Sequence, residues 1–314
     1  DLMCLCNEPM KALTEIGKIF NIDEPESMCD DEPHVYTGVN IKWNQQAIEI
    51  DLDKYSKECR PQLTDHERKL KFNQAEFEVN ETDIPDTSLS TQYQSYIGQL
   101  GWIVRVDKNY SFSFSQLSTF NTTPTAKRMT LVKRVLNHAA DNNSPLVFKP
   151  ISVPSLAVWV DGAYKLLTYN GRCAYLIQVV DDDNIMKGPE MPDNNHITWK
   201  SHKCKRKLAS STSSELIAMC MAIKCLYTYV RMIRDLWKVH PRIVIHTDSM
   251  ILKNQLATGK CIQEPRMQGC LEYVMECRDE LGAKIVWVPD PQQRADPASY
   301  PHMTPPNKRT GVTT

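Results

Sequence analysis

The C-terminal half of this 314-residue chain is predicted to form an α/β domain with a mixed five-stranded sheet and flanking helices. The first observation is a set of strand-like apolar runs at 156–160, 172–180, 196–200, 242–247 and 284–288. The second is their spacing: three runs follow one another directly, whereas helix-length segments separate the third from the fourth and the fourth from the fifth. The third is that acidic residues follow strand ends, where side chains can converge in one crevice.

The segments upstream are predicted in the same way. Segment 1–61 is expected to hold a helix over 9–20 and two alternating runs, 35–43 and 47–52, that form a hairpin. Segment 62–92 is polar and acidic without sustained periodicity, which predicts a linker. Helices are expected over 93–106, 113–120 and 125–140, within a helical segment 93–150. Pro145 and Pro150 precede the last domain, 151–297, and the proline- and threonine-rich tail 298–314 is expected to be disordered.

Composition bounds the class of protein without indicating its function. The formal net charge of −1 provides no overall attraction to nucleic acid, so any phosphate-binding surface must be local. The eleven cysteines include no C-x-x-C pair, and several fall within helical patterns. With no signal peptide and no transmembrane segment recognised, the chain is expected to be a reduced intracellular protein, cytoplasmic or nuclear.

Four widely spaced acidic residues are the most informative feature of the chain. They are Asp161 in Val-Trp-Val-Asp, Glu215 in Ser-Thr-Ser-Ser-Glu, Asp248 in His-Thr-Asp-Ser and Asp296 in Arg-Ala-Asp-Pro. Oxygen ligands from several directions favour two hard divalent cations, Mg²⁺ or Mn²⁺, and such a pair is typical of phosphodiester hydrolysis. Helix capping is the alternative, because Asp248 is a possible N-cap and Thr212-Ser-Ser-Glu215 matches a capping box.

Two groups of basic residues are candidates for contact with nucleic-acid phosphates. The first lies between the third strand and the following helix, and comprises Lys200, Lys203, Lys205, Arg206 and Lys207. The second lies in the last helix before the sheet, and comprises Lys127, Arg128, Lys133 and Arg134. The alternatives are a solvated loop for the first group and a solvated helix face for the second.

Several of these motifs resemble one known family. The run Ile-Thr-Trp-Lys-Ser at 197–201, continuing to Ser-Ser-Thr-Ser-Ser-Glu at 210–215, and the run Trp-Val-Pro…Gln-Arg-Ala-Asp at 287–296 are similar to the ribonuclease H domain that ends copia-type retrotransposon Pol polyproteins. Upstream, 93–102 and 124–137 resemble the helical segment that joins reverse transcriptase to this nuclease. The resemblance implies a ribonuclease H-like domain preceded by a reverse transcriptase palm remnant, 1–61, and a helical thumb or connection segment, 93–150.

The resemblance also implies an activity. Asp161, Glu215, Asp248 and Asp296 would hold two Mg²⁺ or Mn²⁺ ions and hydrolyse the RNA strand of an RNA–DNA hybrid, with no small-molecule cofactor and no membrane. The remainder of a Pol polyprotein is a further expected partner. Polymerase activity is not expected, because only Asp1 would correspond to a member of the palm's catalytic Asp pair. The alternative is a degenerate, catalytically inactive remnant that retains nucleic-acid binding, because Pro297 departs from the family's Ala-Asp-Leu-Thr-Lys.

Overall fold

The computed structural model describes residues 8–22, 24, 33–44, 46–70, 72, 74–77, 83–165, 170–262 and 264–295. In chain order, the helices and strands of these residues are α1 (Pro9–Gly17), β1 (His34–Tyr36), β2 (Val39–Asn44), β3 (Ala47–Asp51), α2 (Asp53–Glu58), α3 (Asp65–Lys69), α4 (Ser90–Ile103), α5 (Ser111–Leu117), α6 (Ala126–Asp141), β4 (Leu146–Phe148), β5 (Pro154–Lys165), β6 (Asn170–Asp181), β7 (His196–Lys207), α7 (Ser211–Trp237), β8 (Ile243–Thr247), α8 (Met250–Thr258), α9 (Gln268–Leu281) and β9 (Lys284–Trp287).

The C-terminal half forms a five-stranded sheet in the order β7-β6-β5-β8-β9. β5, β6 and β7 are antiparallel neighbours, whereas β8 lies parallel to β5 and β9 lies parallel to β8. The predicted mixed sheet is therefore confirmed. The three antiparallel strands are 12 residues long, because each continues beyond its predicted apolar run into more polar residues that still pair with the neighbouring strand.

The long helix α7 covers one face of this sheet. By length and composition it is apolar enough to cross a membrane, but half of its most apolar 18-residue window is buried inside the protein. Its buried side chains, among them Met219 and Ile223, share a core with Val158 of β5 and Ile177 of β6. Core packing thus accounts for the apolar character of the helix. On the opposite face, Trp159 belongs to a second buried cluster.

The N-terminal part forms a four-stranded antiparallel sheet in the order β1-β2-β3-β4. The expectation of one strand over 35–43 is wrong, because Thr37 and Gly38 form a turn with φ of +47° and +82°. Positive φ at both positions is typical of a tight hairpin turn. The usual sequence of such a turn is Asn-Gly, and the sequence Thr-Gly found here does not indicate one. β4 follows the helical segment and pairs with β3, so this sheet joins the expected segments 1–61 and 93–150. Assignment of these segments to a palm and a thumb or connection remains a prediction.

Helices α4, α5 and α6 lie where helices are predicted and share a core of their own. The expected linker 62–92 is partly packed on them, since Phe77 lies within that core. Two arginines of α6 hold this segment: Arg128 donates to the carbonyl of Glu76 at 2.6 Å, and Arg134 pairs with the Glu76 carboxylate at 2.5 Å. Both arginines are buried. Their predicted contact with nucleic acid is therefore wrong, because their side chains are bonded to Leu70 and Glu76 instead.

The helical segment packs against β6 and β7 of the five-stranded sheet. Trp199 donates its indole N–H to the carbonyl of Val104 at 2.8 Å. Buried Arg172 on β6 donates to the Ser115 hydroxyl of α5 at 2.8 Å. These contacts fix the helices against the face of the sheet that lies opposite α7.

Candidate active site

Two of the predicted acidic residues lie side by side at one end of the sheet. β5 and β8 are parallel neighbours whose last paired residues are Trp159 and His246. Two residues further along each strand are Asp161 and Asp248. Asp161 is 7% exposed, and its Oδ1 accepts a hydrogen bond from the backbone N–H of Gly162 at 2.7 Å. The parallel register thus brings together two carboxyl groups that are 87 positions apart in the chain.

The third acidic residue, Glu215, arrives from α7 because β5 and the helix approach closely. A Cβ atom on Gly162 would lie 2.4 Å from the backbone nitrogen of Glu215, so only glycine permits this contact. Glu215 is the fifth residue of α7, and the helix is capped by Ser210, whose hydroxyl accepts from Ser213 N–H at 3.3 Å. The capping-box alternative is therefore wrong. Glu215 lies two residues beyond Ser213, which is the third helical position that a capping box begun by Ser210 would use.

Glu215 lies in a dry, acidic environment. Its side chain is among the buried polar groups, and its Oε2 accepts a hydrogen bond from the Thr247 hydroxyl at 2.9 Å. Burial, followed by the carboxyl groups of Asp248 and Asp161, raises the pKa of Glu215 to about 8, against the lowering effect of Thr247. Without a cation, the folded protein therefore holds a proton on Glu215 at neutral pH.

Asp248 has no structural role as a helix cap. The cap of α8 is Ser249, whose hydroxyl accepts from Leu252 N–H at 3.3 Å. The capping alternative for Asp248 is therefore wrong. Its Oδ1 is buried without a hydrogen-bond partner, and burial followed by Asp161 raises the pKa of Asp248 to about 6. An unpartnered carboxylate oxygen beside a second carboxyl group costs stability unless a cation or substrate occupies the space.

Sequence reasoning missed a further acidic residue, Asp290. It begins a single helical turn two residues after β9, and its carboxyl group contributes to the raised pKa of Asp248. Trp287 at the end of β9 donates its indole N–H to the Asp248 carbonyl at 2.8 Å, which ties the two segments together. The sequence did contain a signal for Asp290, because this acidic residue in Val-Pro-Asp-Pro follows the strand that is the neighbour of β8.

The fourth predicted acidic residue, Asp296, lies outside the described residues. The chain leading to it is firmly anchored as far as Ala295. Gln293 donates from Nε2 to the Val160 carbonyl at 2.9 Å, one residue before Asp161. Arg294 donates to the carbonyls of Pro189 and Pro192, each at 3.1 Å. Gln293 therefore fastens this segment to the strand that carries Asp161, and Arg294 fastens it to the loop that follows β6.

The donor chemistry of the three acids fits a hard cation. All available ligands are carboxylate oxygens, one of them is buried and unpartnered, and two of the carboxyl groups have raised pKa values that a positive charge would lower. Among the described residues, however, no three His, Cys, Asp or Glu side chains are grouped so as to hold one ion. Asp161 directs Oδ1 toward the backbone N–H of Gly162. A bound ion thus requires a different rotamer of at least one carboxylate.

The predicted basic residues lie on a strand instead of a loop. Lys200, Lys203, Lys205, Arg206 and Lys207 belong to β7 and are exposed on an edge of the sheet. The register places Asp161 opposite Ala174, and Ala174 opposite Ser201, so this part of β7 is level with the acids. Side chains alternate along a strand, so Lys203 shares the face of Ser201 and Asp161, whereas Lys200 points to the α7 face.

Comparisons with known proteins add resemblances to ribonucleases H. No protein-family model and no curated protein matches the chain. Ribonuclease H1 LC11, isolated from compost by a metagenomic approach, is 15% identical with a TM-score of 0.34, over 45% of this chain and 90% of that one. The same enzyme in complex with an RNA/DNA hybrid is 14% identical with a TM-score of 0.35, over 45% and 91%. Ribonuclease H1 of Halobacterium salinarum is 16% identical with a TM-score of 0.31, over 45% and 92%.

Proposed function

We propose that this chain is a metal-dependent, ribonuclease H-like hydrolase that cuts the RNA strand of an RNA–DNA hybrid. The observation that carries the proposal is the meeting of Asp161, Glu215 and Asp248 at one end of the sheet, with a buried Asp248 oxygen that no hydrogen bond satisfies. Neither helix capping nor an ion pair accounts for Glu215 or Asp248. The sequence motifs around these residues support the same reaction and add Asp296 as a fourth ligand.

In this proposal the acids hold Mg²⁺ or Mn²⁺, and two such ions would supply an activated water and stabilise charge on the departing oxygen. Thr247 orients Glu215 through its hydroxyl hydrogen bond. Gly162 allows α7 to bring Glu215 to the end of β5. Because Glu215 carries a proton at neutral pH in the absence of cations, binding of an ion releases that proton from its carboxyl group.

The proposed substrate contact lies on β7. Phosphate attraction supplies most of the affinity for a nucleic acid, and an RNA-containing duplex is recognised by its backbone shape and 2′-hydroxyls. The exposed basic residues of the strand are level with the acids, which supports phosphate contact by Lys200, Lys203, Lys205, Arg206 and Lys207. Lys203 is the best placed of them, because it shares a sheet face with Asp161. Lys200 is the least well placed.

We also propose that the chain derives from a copia-type retrotransposon Pol polyprotein, on the strength of its motifs. Polymerase activity is not expected, and the remainder of a Pol polyprotein is the expected partner. A second candidate is a degenerate remnant that binds nucleic acid without turnover. It is favoured by the absence, among the described residues, of three side chains grouped to hold an ion.

Cleavage of a hybrid by the purified full chain tests the proposal. The RNA strand is labelled, and product is followed with Mg²⁺, with Mn²⁺ and with a chelator. We expect metal-dependent cleavage that Asp248→Asn reduces by at least about 100-fold while the circular dichroism spectrum is retained. Asp235→Asn is the matched control, because it makes the same change at an exposed aspartate in the last turns of α7, twenty residues after Glu215.

Each outcome distinguishes the candidates. Parental cleavage rates in Asp248→Asn would refute the assigned site. A folded parent that binds the hybrid but cleaves it with neither metal would establish the degenerate remnant instead.

A further inference from the structure

Two cysteines on neighbouring strands lie closer together than packing requires. Cys173 of β6 and Cys204 of β7 have their sulfur atoms 2.8 Å apart, and both are free thiols. A disulfide bond is about 2.04 Å long, so a shift of under about 1 Å would join them. They are 31 positions apart in sequence, and the antiparallel pairing of β6 with β7 brings them together.

The surroundings of the pair hold both sulfur atoms in place. Cys173 lies 3.1 Å from the carbonyl oxygen of Ser214 in the first turns of α7. Gly171 leaves the space that the sulfurs occupy, because a Cβ there would lie 3.2 Å from the sulfur of Cys204 and 2.6 Å from the Ser214 hydroxyl. β7 also departs from regular pairing between Lys203 and Lys207, and this irregularity contains Cys204. Local adjustment of the strand is therefore easier here than in a regular ladder.

A buried cation distinguishes this pair from inert core cysteines. Arg172 precedes Cys173, is 8% exposed, and interacts electrostatically with both thiols. The hydrogen bond with Cys173, followed by the charge of Arg172, lowers the pKa of Cys204, whereas the hydrogen bond with Cys204, followed by burial, raises the pKa of Cys173. Cys204 is thus the thiol that ionises first, and thiolates near a cation are the reactive form.

From this geometry we infer that Cys173 and Cys204 are a site of reversible oxidation, which a small peroxide converts to a disulfide between β6 and β7. The Cys204 thiolate attacks one peroxide oxygen, the O–O bond breaks, and the released hydroxide takes a proton to leave as water. The Cys173 sulfur then attacks the sulfur of the Cys204 sulfenic acid. The S–O bond breaks, a second water leaves with the Cys173 proton, and the S–S bond forms. The two sulfurs lose two electrons in total, and the peroxide gains them.

The cross-link would fix the basic part of β7 to the body of the sheet. Cys204 lies between Lys203 and Lys205, so the disulfide would restrain the two exposed lysines on either side of it. This inference does not depend on nuclease activity, because its chemistry involves neither the acids nor a metal.

Mass spectrometry of the full chain tests the inference. The reduced protein is treated under native conditions with about one equivalent of hydrogen peroxide, and the remaining thiols are then alkylated in denaturant. We expect trypsin to release residues 173–187 linked to residues 204–205, two mass units lighter than the sum of the free peptides, and a thiol reductant to separate them. The oxidised protein should melt roughly 5 to 10 °C above the reduced one, since the link closes a loop of about 30 residues.

Variants make the result specific. Cys204→Ser should abolish both the linked peptide and the rise in Tm, whereas Cys261→Ser removes a comparably buried thiol and should change neither. If Cys173 and Cys204 are both fully alkylated after peroxide treatment, or if the two-mass-unit loss maps to other cysteines, the inference is wrong. The same mapping in the parent protein decides the question even if Cys204→Ser does not fold.

Discussion

Glu215→Gln separates a carboxylate held for function from one that supports the fold. The substitution keeps the size of the side chain and an oxygen that can accept the hydrogen bond from Thr247, while it removes the ionisable group. The folded protein retains a proton on Glu215 up to a pH of about 8, whereas the unfolded chain loses it near the ordinary glutamate pKa of 4.5. The folded state of the parent therefore binds more protons between these values, and its stability falls as the pH rises through them.

The magnitude follows from the two pKa values. One pKa unit corresponds to about 1.4 kcal/mol, so the rise from 4.5 to about 8 implies a loss of on the order of 3 to 5 kcal/mol across this window. Glu215→Gln has no such loss. Without metal, the variant should match the parent near pH 4.5 and become progressively more stable than the parent up to a pH of about 8.5, while its cleavage of a hybrid is abolished.

Urea unfolding in a chelator, measured at intervals of one pH unit, provides the free energies. Glu276→Gln is the matched control, because it neutralises an exposed glutamate on α9. Addition of Mg²⁺ should stabilise the parent at neutral pH and have little effect on Glu215→Gln. A difference between variant and parent that stays constant from pH 5 to 8.5 would refute the crowded, dry environment assigned to Glu215.

Three further outcomes are expected. Asp290→Asn should raise the Mg²⁺ concentration needed for half-maximal thermal stabilisation severalfold, since it removes a negative charge beside the acids. An unchanged Mg²⁺ concentration would show that Asp290 does not contribute to ion binding. Lys203→Ala should reduce the slope of log affinity for a hybrid against log salt by about 0.7 to 0.9, whereas Lys200→Ala should reduce it by less; equal reductions would contradict the assignment of faces. Gly162→Ala should lower the free energy of unfolding by about 1 to 3 kcal/mol or more, because the added Cβ would lie 2.4 Å from the backbone of α7. Gly98→Ala is the control, because its added Cβ has no atom within 4 Å and should not destabilise the protein. An unchanged free energy of unfolding in Gly162→Ala would contradict the close approach of β5 and α7.

The sheet was predictable because its signals are local. Each strand carries an apolar run, and the spacing between runs fixes which connections are hairpins and which are crossovers. Turns that lack the residues usually found in them were not predictable. Thr37 adopts a positive φ in the turn Thr37-Gly38, although threonine rarely takes this conformation. The same limit applies to α7, where Ser210 caps the helix although Thr212-Ser-Ser-Glu215 has the better sequence match.

The candidate site was predictable only in part, for a different reason. Asp161, Glu215 and Asp248 were found because each lies in a motif, but Asp290 acquires its position from the pairing of β8 with β9. The basic residues of α6 show the opposite error. Arg128 and Arg134 were expected on a surface, and their burial depends on a contact with Glu76, more than fifty positions away in the chain. Long-range contacts of this kind have no local signal.

Other buried carboxylates of the protein show how unusual the site is. Glu264 is 4% exposed, but its Oε2 accepts from Ala209 N–H at 3.0 Å and from the Ser213 hydroxyl, and these hydrogen bonds help to lower its pKa. Asp107 is also buried, and its two oxygens accept from the backbone N–H groups of Asn109 and Ser144. Satisfied carboxylates of this kind order the backbone around them. Burial raises the pKa of both Asp107 and Asp248 to about 6, so Asp248 is distinguished by its buried oxygen with no donor and by its two acidic neighbours. A fold that satisfies its structural acids and leaves this one unsatisfied has the arrangement that a cation would complete, and this contrast within one chain is the strongest physical argument that the acids serve a reaction.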